Sequence, residues 1–406
     1  RYLYDPLDRR RAVIYPDDSQ LLTDYDEDSN IIRTQDNNGL QRFYTVDALG
    51  RTTRVEVDKS GLPAVLINNV AGATFEHYQY DGLDRQTTAE NNFVVCTYRQ
   101  NSLSWPLEET IEFKVNEAPL QTPFSIIRDF DDVGALVGLT YPNGRQLQFE
   151  RDELNRLTNI QNLSYGNDYQ GHLNLPPLRS IAQMNYAGQK KEQCIFGNNA
   201  SISYRHDGAG RLIEIAHANG NTPLMAIQYL YDATNNVRVR NDVLPAGSRT
   251  ERFAYDALYR LVHEFQPTTN ETFDLSNFSP SSVLLSDPIP NGQSDIDLLI
   301  GSMGLPQILP TYDYDSVGNR QIERPTGGND IDYSNNILDQ YESRDGTNFG
   351  YDTNGNLKDD EQRKYNFDSL NRLVKVETIG GQVISEFWHD ASGRRILERK
   401  GGDTGI

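Results

Sequence analysis

The chain has 406 residues, and its 38 Lys+Arg against 58 Asp+Glu give a formal charge of −20. Acidity of that size repels phosphate backbones and anionic lipid, which excludes nucleic acid and plain membrane surfaces as partners. Apolar residues make up 37%, too few for a thick core over this length, while abundant and regularly spaced Tyr, Phe, Ile, Leu and Val exclude disorder. Two cysteines, Cys96 and Cys194, leave open one bridge or two free thiols. No apolar run of about 18 residues is present, so no transmembrane helix is expected. No signal peptide is visible, and the chain opens on Arg1-Tyr2-Leu3-Tyr4-Asp5 inside a repeat, so it reads as an internal piece of a longer polypeptide.

From the N-terminus onward one signature recurs: an aromatic or apolar residue, Asp, two variable residues, a residue tolerant of positive φ, then usually Arg or Asn. The first copy is Tyr4-Asp5, followed by Asp26 and by Asp47 with Gly50 and Arg51. Next come Tyr80-Asp81 with Arg85, then Asp131, then Asp152 with Arg156. Asp207 has Gly210 and Arg211, and Tyr231-Asp232 and Tyr255-Asp256 follow. The last four are Tyr314-Asp315 with Gly318, Tyr351-Asp352 with Gly355, Asp368 with Arg372, and Asp390 with Gly393. Asp5, Asp26 and Asp47 stand 21 residues apart, as do Asp131 and Asp152.

These 13 copies place the repeat over residues 1–161, 201–265 and 312–406. Residues 162–200, with Pro176-Pro177, are expected to be an irregular excursion or longer strands. Residues 266–311, rich in Ser, Pro, Asn and Asp, are expected to be a loop insertion.

The third residue after Asp is Gly, Asn or Asp in 11 of the 13 copies, the types that tolerate the left-handed region; Ser29 and Tyr259 are the exceptions. An Asp side chain accepts a backbone N–H two residues on, so Asp-x-x-Gly predicts a turn. Aromatics one and three residues before Asp, such as Tyr78/Tyr80 and Tyr229/Tyr231, share one face of a strand. Runs such as Leu212-Ile213-Glu214-Ile215 continue the hairpin. Tyr15-Pro16-Asp17-Asp18 and Tyr141-Pro142-Asn143-Gly144 read as a second turn type on the other end of the strands. Two strands per repeat, spaced ~4.8 Å, would make a sheet over ~100 Å wide, which should curl or close around space. The expected fold is therefore all-β: tandem hairpins in one broad curved sheet.

Tyr4-Asp5-Pro6-Leu7-Asp8-Arg9, Tyr80-Asp81-Gly82-Leu83-Asp84-Arg85 and Phe367-Asp368-Ser369-Leu370-Asn371-Arg372 resemble the RHS, or YD, repeats. The family includes bacterial polymorphic toxins, the B and C components of insecticidal toxin complexes, and teneurins. The resemblance implies a β-strip spiralling into a hollow shell. In the toxins that shell holds a C-terminal toxic domain; in teneurins it supports adhesion. The family's sealing core, with its self-cleavage aspartates, has no counterpart here, and Asp5-Pro6 lies in an ordinary copy, so self-cleavage is not carried over.

No catalytic, cofactor-binding or metal site is expected. His263-Glu264 lacks a second His four residues after the first, and no nucleophile elbow, phosphate loop or dinucleotide fingerprint occurs. His206 and His389 take the ring position before the motif Asp. The runs Asp24–Asp28 and Asp359–Glu361 lack the spacing of a calcium loop and read as solvated loops. Motif arginines are expected to pair with carboxylates or stack on Tyr rings. The function expected is a secreted structural shell segment, partnered by a cargo domain or other parts of the same longer polypeptide. The alternative is an extracellular adhesion module that meets a cell-surface protein or glycan. A hydrolytic β-protein with paired carboxylates is the third reading.

Overall fold

The computed structural model describes residues 1–62, 72–115, 118–119, 123–164, 166–167, 173–174, 179–265, 311–325 and 328–402. Every regular element among them is a β-strand. No helix among them is long and apolar enough to cross a membrane. The chain divides into two compact units, residues 1–142 with 334–406, and residues 143–333.

In the first unit, Tyr2–Tyr4, Arg10–Ile14, Gln20–Tyr25, Ile31–Gln35, Gln41–Val46 and Thr52–Asp58 each pair antiparallel with the strand next in sequence. The order continues through Phe75–Tyr80, Gln86–Asn91, Val94–Gln100, Pro106–Val115, Phe124–Phe130 and Leu136–Thr140. Gly350–Tyr351, Leu357–Asp359, Arg363–Phe367, Leu373–Thr378, Val383–His389 and Arg395–Lys400 form a second, six-stranded antiparallel sheet in the same unit.

The second unit repeats the scheme from Gln146–Arg151 and Leu157–Asn162 to Thr311–Tyr314 and Arg320–Arg324. Its longest strand is Thr222–Tyr231. Part of the first expected excursion is regular: Arg179–Ala187 and Lys190–Phe196 make a hairpin. Ala182 and Met184 alternate inward there and pack with Cys194, the period of two that defines a half-buried strand. No motif Asp marks that hairpin; Gly188, at φ +57°, turns it. Of the second expected insertion, residues 266–310 lie outside the described residues.

Among the described residues few apolar side chains are fully buried, Leu40 being the largest of them. Ala89, Val94 and Cys96 cluster with Ala391 in the first unit, and Tyr78, Tyr98, Ile111 and Ile396 pack around them. Most strand residues are half-buried. Neighbouring strands and their turns therefore carry much of the order that a thick core would supply elsewhere.

Candidate functional site

The motif turns share one geometry. At Asp81 the backbone N–H donates to Arg85 O (2.9 Å), and Asp84 N–H donates back to Asp81 O (3.2 Å). Asp81 Oδ1 accepts the N–H groups of Leu83 (2.9 Å) and Arg85 (3.0 Å), while Oδ2 accepts Arg85 Nε (2.7 Å). A one-residue register shift follows at Tyr80. This is a turn closed by a left-handed residue and a bulge, which bends and twists the strand pair. The Arg85 side chain, the backbone N–H groups of Arg85 and Leu83 and the positive charge of Arg85 together hold the Asp81 carboxyl down to about 2, against a burial effect that opposes them.

Each turn also grips the next. Arg51 bonds its own Asp47 and donates from Nη1 to Asp81 O (3.3 Å) and Asp84 Oδ1 (3.0 Å) of the following turn. Its guanidinium lies 4.8 Å from the centre of the Tyr80 ring. Tyr80 Oη donates back to Thr52 O (2.9 Å). The same lock joins Arg9 to Tyr25, Arg211 to Tyr231 and Arg260 to Tyr314. Arg156 reaches Gly188 O and the Tyr186 ring, so the hairpin without a motif Asp is held by the same clamp. Tyr255 and Tyr351 donate to Val237 O and Tyr341 O in the same way. Where Asn replaces Arg, as at Asn236, Asn319 and Asn356, its amide bonds its own Asp, and Asn356 Nδ2 also donates to Asn371 Oδ1 of the following turn (2.9 Å).

All 13 residues three places after the motif Asp have positive φ, Ser29 (71°) and Tyr259 (61°) included. Tyr259 is a ring in a region where an L side chain costs roughly 1–2 kcal/mol, and its side chain is exposed. Tyr259→Asn is expected to raise stability by about 1 kcal/mol, read as a higher urea midpoint at unchanged slope.

Three further turns have this geometry, and the Asp-anchored signature missed them. Asp36, Asn101 and Asn336 anchor loops closed by Gly39, Ser104 and Asp339, all at positive φ. Asp36 lacks the aromatic or apolar residue before it, having Gln35 there, while at Asn101 and Asn336 an Asn oxygen does the work of the Asp carboxylate, and Ser104 takes the left-handed position as Ser29 does. The second turn type expected at Tyr15 is instead the same five-residue loop: Tyr15 N–H donates to Ser19 O and Asp18 N–H to Tyr15 O. A hydrogen-bonded loop of this shape needs only the left-handed residue, here Asp18 at φ 63°, and no side-chain anchor.

The C-terminal sheet adds a buried polar seam within the first unit. Asp390 is fully buried and its Oδ2 accepts Arg394 Nε (2.7 Å). Arg394 Nη1 meets Glu109 Oε1 (2.5 Å), and Arg372 reaches Glu76 (3.6 Å) while bonding Asp368. Asn91 Nδ2 donates to His389 O, and Tyr78 Oη to Ala391 O (both 2.9 Å). Burial pushes the Glu76 carboxyl up and, with Asp390 beside it, the Cys96 thiol up to about 11. Both cysteines are free and buried. Asp24, in one of the expected solvated runs, is clamped between Arg11 and Arg33 on a strand face. Among the described residues no group of three or more His, Cys, Asp and Glu is placed to hold a metal ion.

No family model matches this chain. No curated protein matches it either. Among solved structures it is similar to TcdB2-TccC3-Cdc42 (14% identity) and to TcdB2-TccC3 without its hypervariable C-terminal region (15% identity), both at a TM-score of 0.70. It is similar at the same TM-score and 15% identity to the Tc holotoxin pore of Photorhabdus luminescens. Each match covers 98% of this chain but 20% of the other, so this chain spans about one fifth of the length of those chains. The fold of this chain, a large all-antiparallel sheet of turn-locked hairpins, is similar to that of the RHS-repeat shell in these Tc toxin complexes.

Proposed function

We propose that the chain is a length of wall in a secreted RHS-type toxin, and that its work is mechanical: it encloses a C-terminal effector until delivery. The observation that carries this reading is the turn-to-turn lock. An Arg from one hairpin holds the backbone and ring of the next, and the ring holds the backbone of the first. A wall zipped in this way transmits load along the strip through many small bonds. The Asp81 carboxylate is occupied as a hydrogen-bond acceptor on both oxygens, which suits an anchor of the turn. Likeness in fold to the TcdB2-TccC3 complexes supports the same reading.

Limited proteolysis of the intact polypeptide tests it. An enclosed effector should survive protease doses that clip exposed loops of the wall, and should become sensitive once the wall is unfolded in urea. Effector and wall digested at the same rate would overturn enclosure. Specific retention of a cell-surface protein or glycan by the intact wall, with no protected cargo, would favour an adhesion role.

A further inference from the structure

The polar seam of the first unit is tightly filled at one turn and opens into a cleft at another. At Asp390 the residue after the anchor, Ala391, is buried among Ala89, Val94 and Cys96. At Asp368 the residue in the same position is Ser369, only 5% exposed, and it borders a cleft of about 590 Å³ measured out to its mouth in solvent. The turns anchored by Asp36, Asp352 and Asp368 and the strand Arg363–Phe367 form its walls. That volume lies within the span of small-molecule sites, roughly 300–1,000 Å³.

The chemistry of the walls narrows the occupant. The charges of Asp36, Asp352 and Asp368 are matched by Arg42, 3.8 Å from Asp36, by Arg372, 2.6 Å from Asp368, and by Lys358. All three carboxylates are already taken. Asp36 Oδ2 accepts Asn354 Nδ2 (2.9 Å), Asp352 Oδ2 accepts Asn356 Nδ2 (2.9 Å), and Asp368 Oδ2 accepts Arg372 Nε (2.6 Å). A divalent cation therefore finds no spare carboxylate, and a phosphate would meet three fixed negative charges. A neutral ligand is left. The groups free to meet it are mixed in kind. Ser369 Oγ makes no hydrogen bond among the described residues, yet it is not sealed from solvent, so it opens onto the cleft. Lys358, exposed at the rim, has no ion-pair partner among the described residues. Asn371 Oδ1 is held by Asn354 (3.0 Å) and Asn356 (2.9 Å), which leaves its Nδ2 donors to spare. Tyr365 and Phe367, two apart on one strand, add ring surface, and Tyr365 Oη is tied back to Asp360 (2.8 Å). A hydroxyl that can donate or accept, two nitrogen donors and aromatic faces together suit a flat molecule with hydroxyls round its rim and C–H bonds on its face.

We propose that this cleft binds a neutral pyranose, with Lys358, Ser369 and Asn371 on its hydroxyls and Tyr365 and Phe367 against its C–H face. The inference goes beyond the wall reading and does not depend on it: protection of an effector reads enclosure, sugar binding reads the cleft, and either can fail alone. Saturation-transfer NMR on the intact polypeptide tests it, with glucose, galactose, mannose, N-acetylglucosamine and their methyl glycosides as probes. Saturation should pass to the ring protons of at least one sugar, and inorganic phosphate should not displace it. Ser369→Ala and Lys358→Met should each weaken binding by roughly fivefold, the worth of one hydrogen bond. Their urea midpoints should stay at the parent value, because neither side chain bonds to the fold. Tyr365→Phe keeps the ring and should keep the affinity. Transfer to the methyl glycosides as well as to the free sugars would make the occupant the end of a glycan, and transfer to the free sugars alone would make it a free sugar; both support the site. No transfer to any of these sugars, displacement by phosphate, or binding left unchanged by Ser369→Ala and Lys358→Met would overturn the proposal.

Discussion

Asp390→Ala is expected to cost about 1.5–3 kcal/mol, because it removes a fully buried carboxylate and its charge-assisted hydrogen bonds, while the Arg394 side chain, 46% exposed, can still be solvated. Asp390 has no exposed surface, and its Oδ1 accepts Ser392 N–H (3.0 Å) and Arg394 N–H (2.8 Å). Its Oδ2 holds Arg394 Nε, and Arg394 in turn holds Glu109, which is itself buried. Alanine would free two turn donors, release the guanidinium that neutralises Glu109 and open a gap beside Cys96, 3.9 Å away. The same substitution at Asp47 removes the same three acceptor bonds, but from a turn on an open edge where water can replace them. Urea unfolding of the two variants separates the seam from the turn. The Asp390 variant should lose far more midpoint, with Asp390→Asn between, because Asn keeps the Oδ1 cap. Equal losses at both positions would mean that burial on the first sheet adds nothing to the motif.

The contrast between these two aspartates marks what a linear reading reaches. Local rules sufficed for the turns: Asp as acceptor, a left-handed-tolerant residue three later, strands on both sides. They reached Tyr259 as an exception yet not its conformation, because propensity describes preference whereas the hydrogen bonds of Asp256 and Arg260 impose φ. They passed over Asn101 and Asn336 because the search was anchored on Asp, although the chemistry needs only a side-chain oxygen. The seam was out of reach for a different reason. Glu76 and Glu109 look like any outward residue of an alternating strand. Their burial comes from turns some 290 residues later in the chain, arriving through Arg372 and Arg394. No local pattern encodes which motif arginine grips the next turn and which grips another sheet.

Acid should dismantle this protein steeply between about pH 4 and pH 2, and the loss should be collective. Nine motif carboxylates are held below the ordinary value of 3.8. At Asp47, Asp81 and Asp152 the largest cause is the side-chain bond from the motif Arg; at Asp26 it is the Asn30 amide, and at Asp5 the Arg9 N–H. At Asp207, Asp232, Asp256 and Asp315 burial pulls upward, but the bonds from residue +4 and its neighbours outweigh it. In this window the unfolded chain binds more protons than the folded one, so stability is complete above the unfolded value and falls as pH drops through the folded values. Glu76 works in the opposite sense, since its raised value makes the folded state the better proton acceptor, but it is one group against nine. Urea midpoints taken from pH 6 down to pH 2 should be level above pH 5 and fall increasingly below pH 4. Replacing Asp47 and Asp81 by Asn should flatten the fall while lowering the plateau. A midpoint that held level to pH 2.5 would show that the turns do not depend on ionised anchors, and the turn-to-turn lock would then rest on the Arg and Tyr bonds to backbone carbonyls and the Arg–Tyr ring contact.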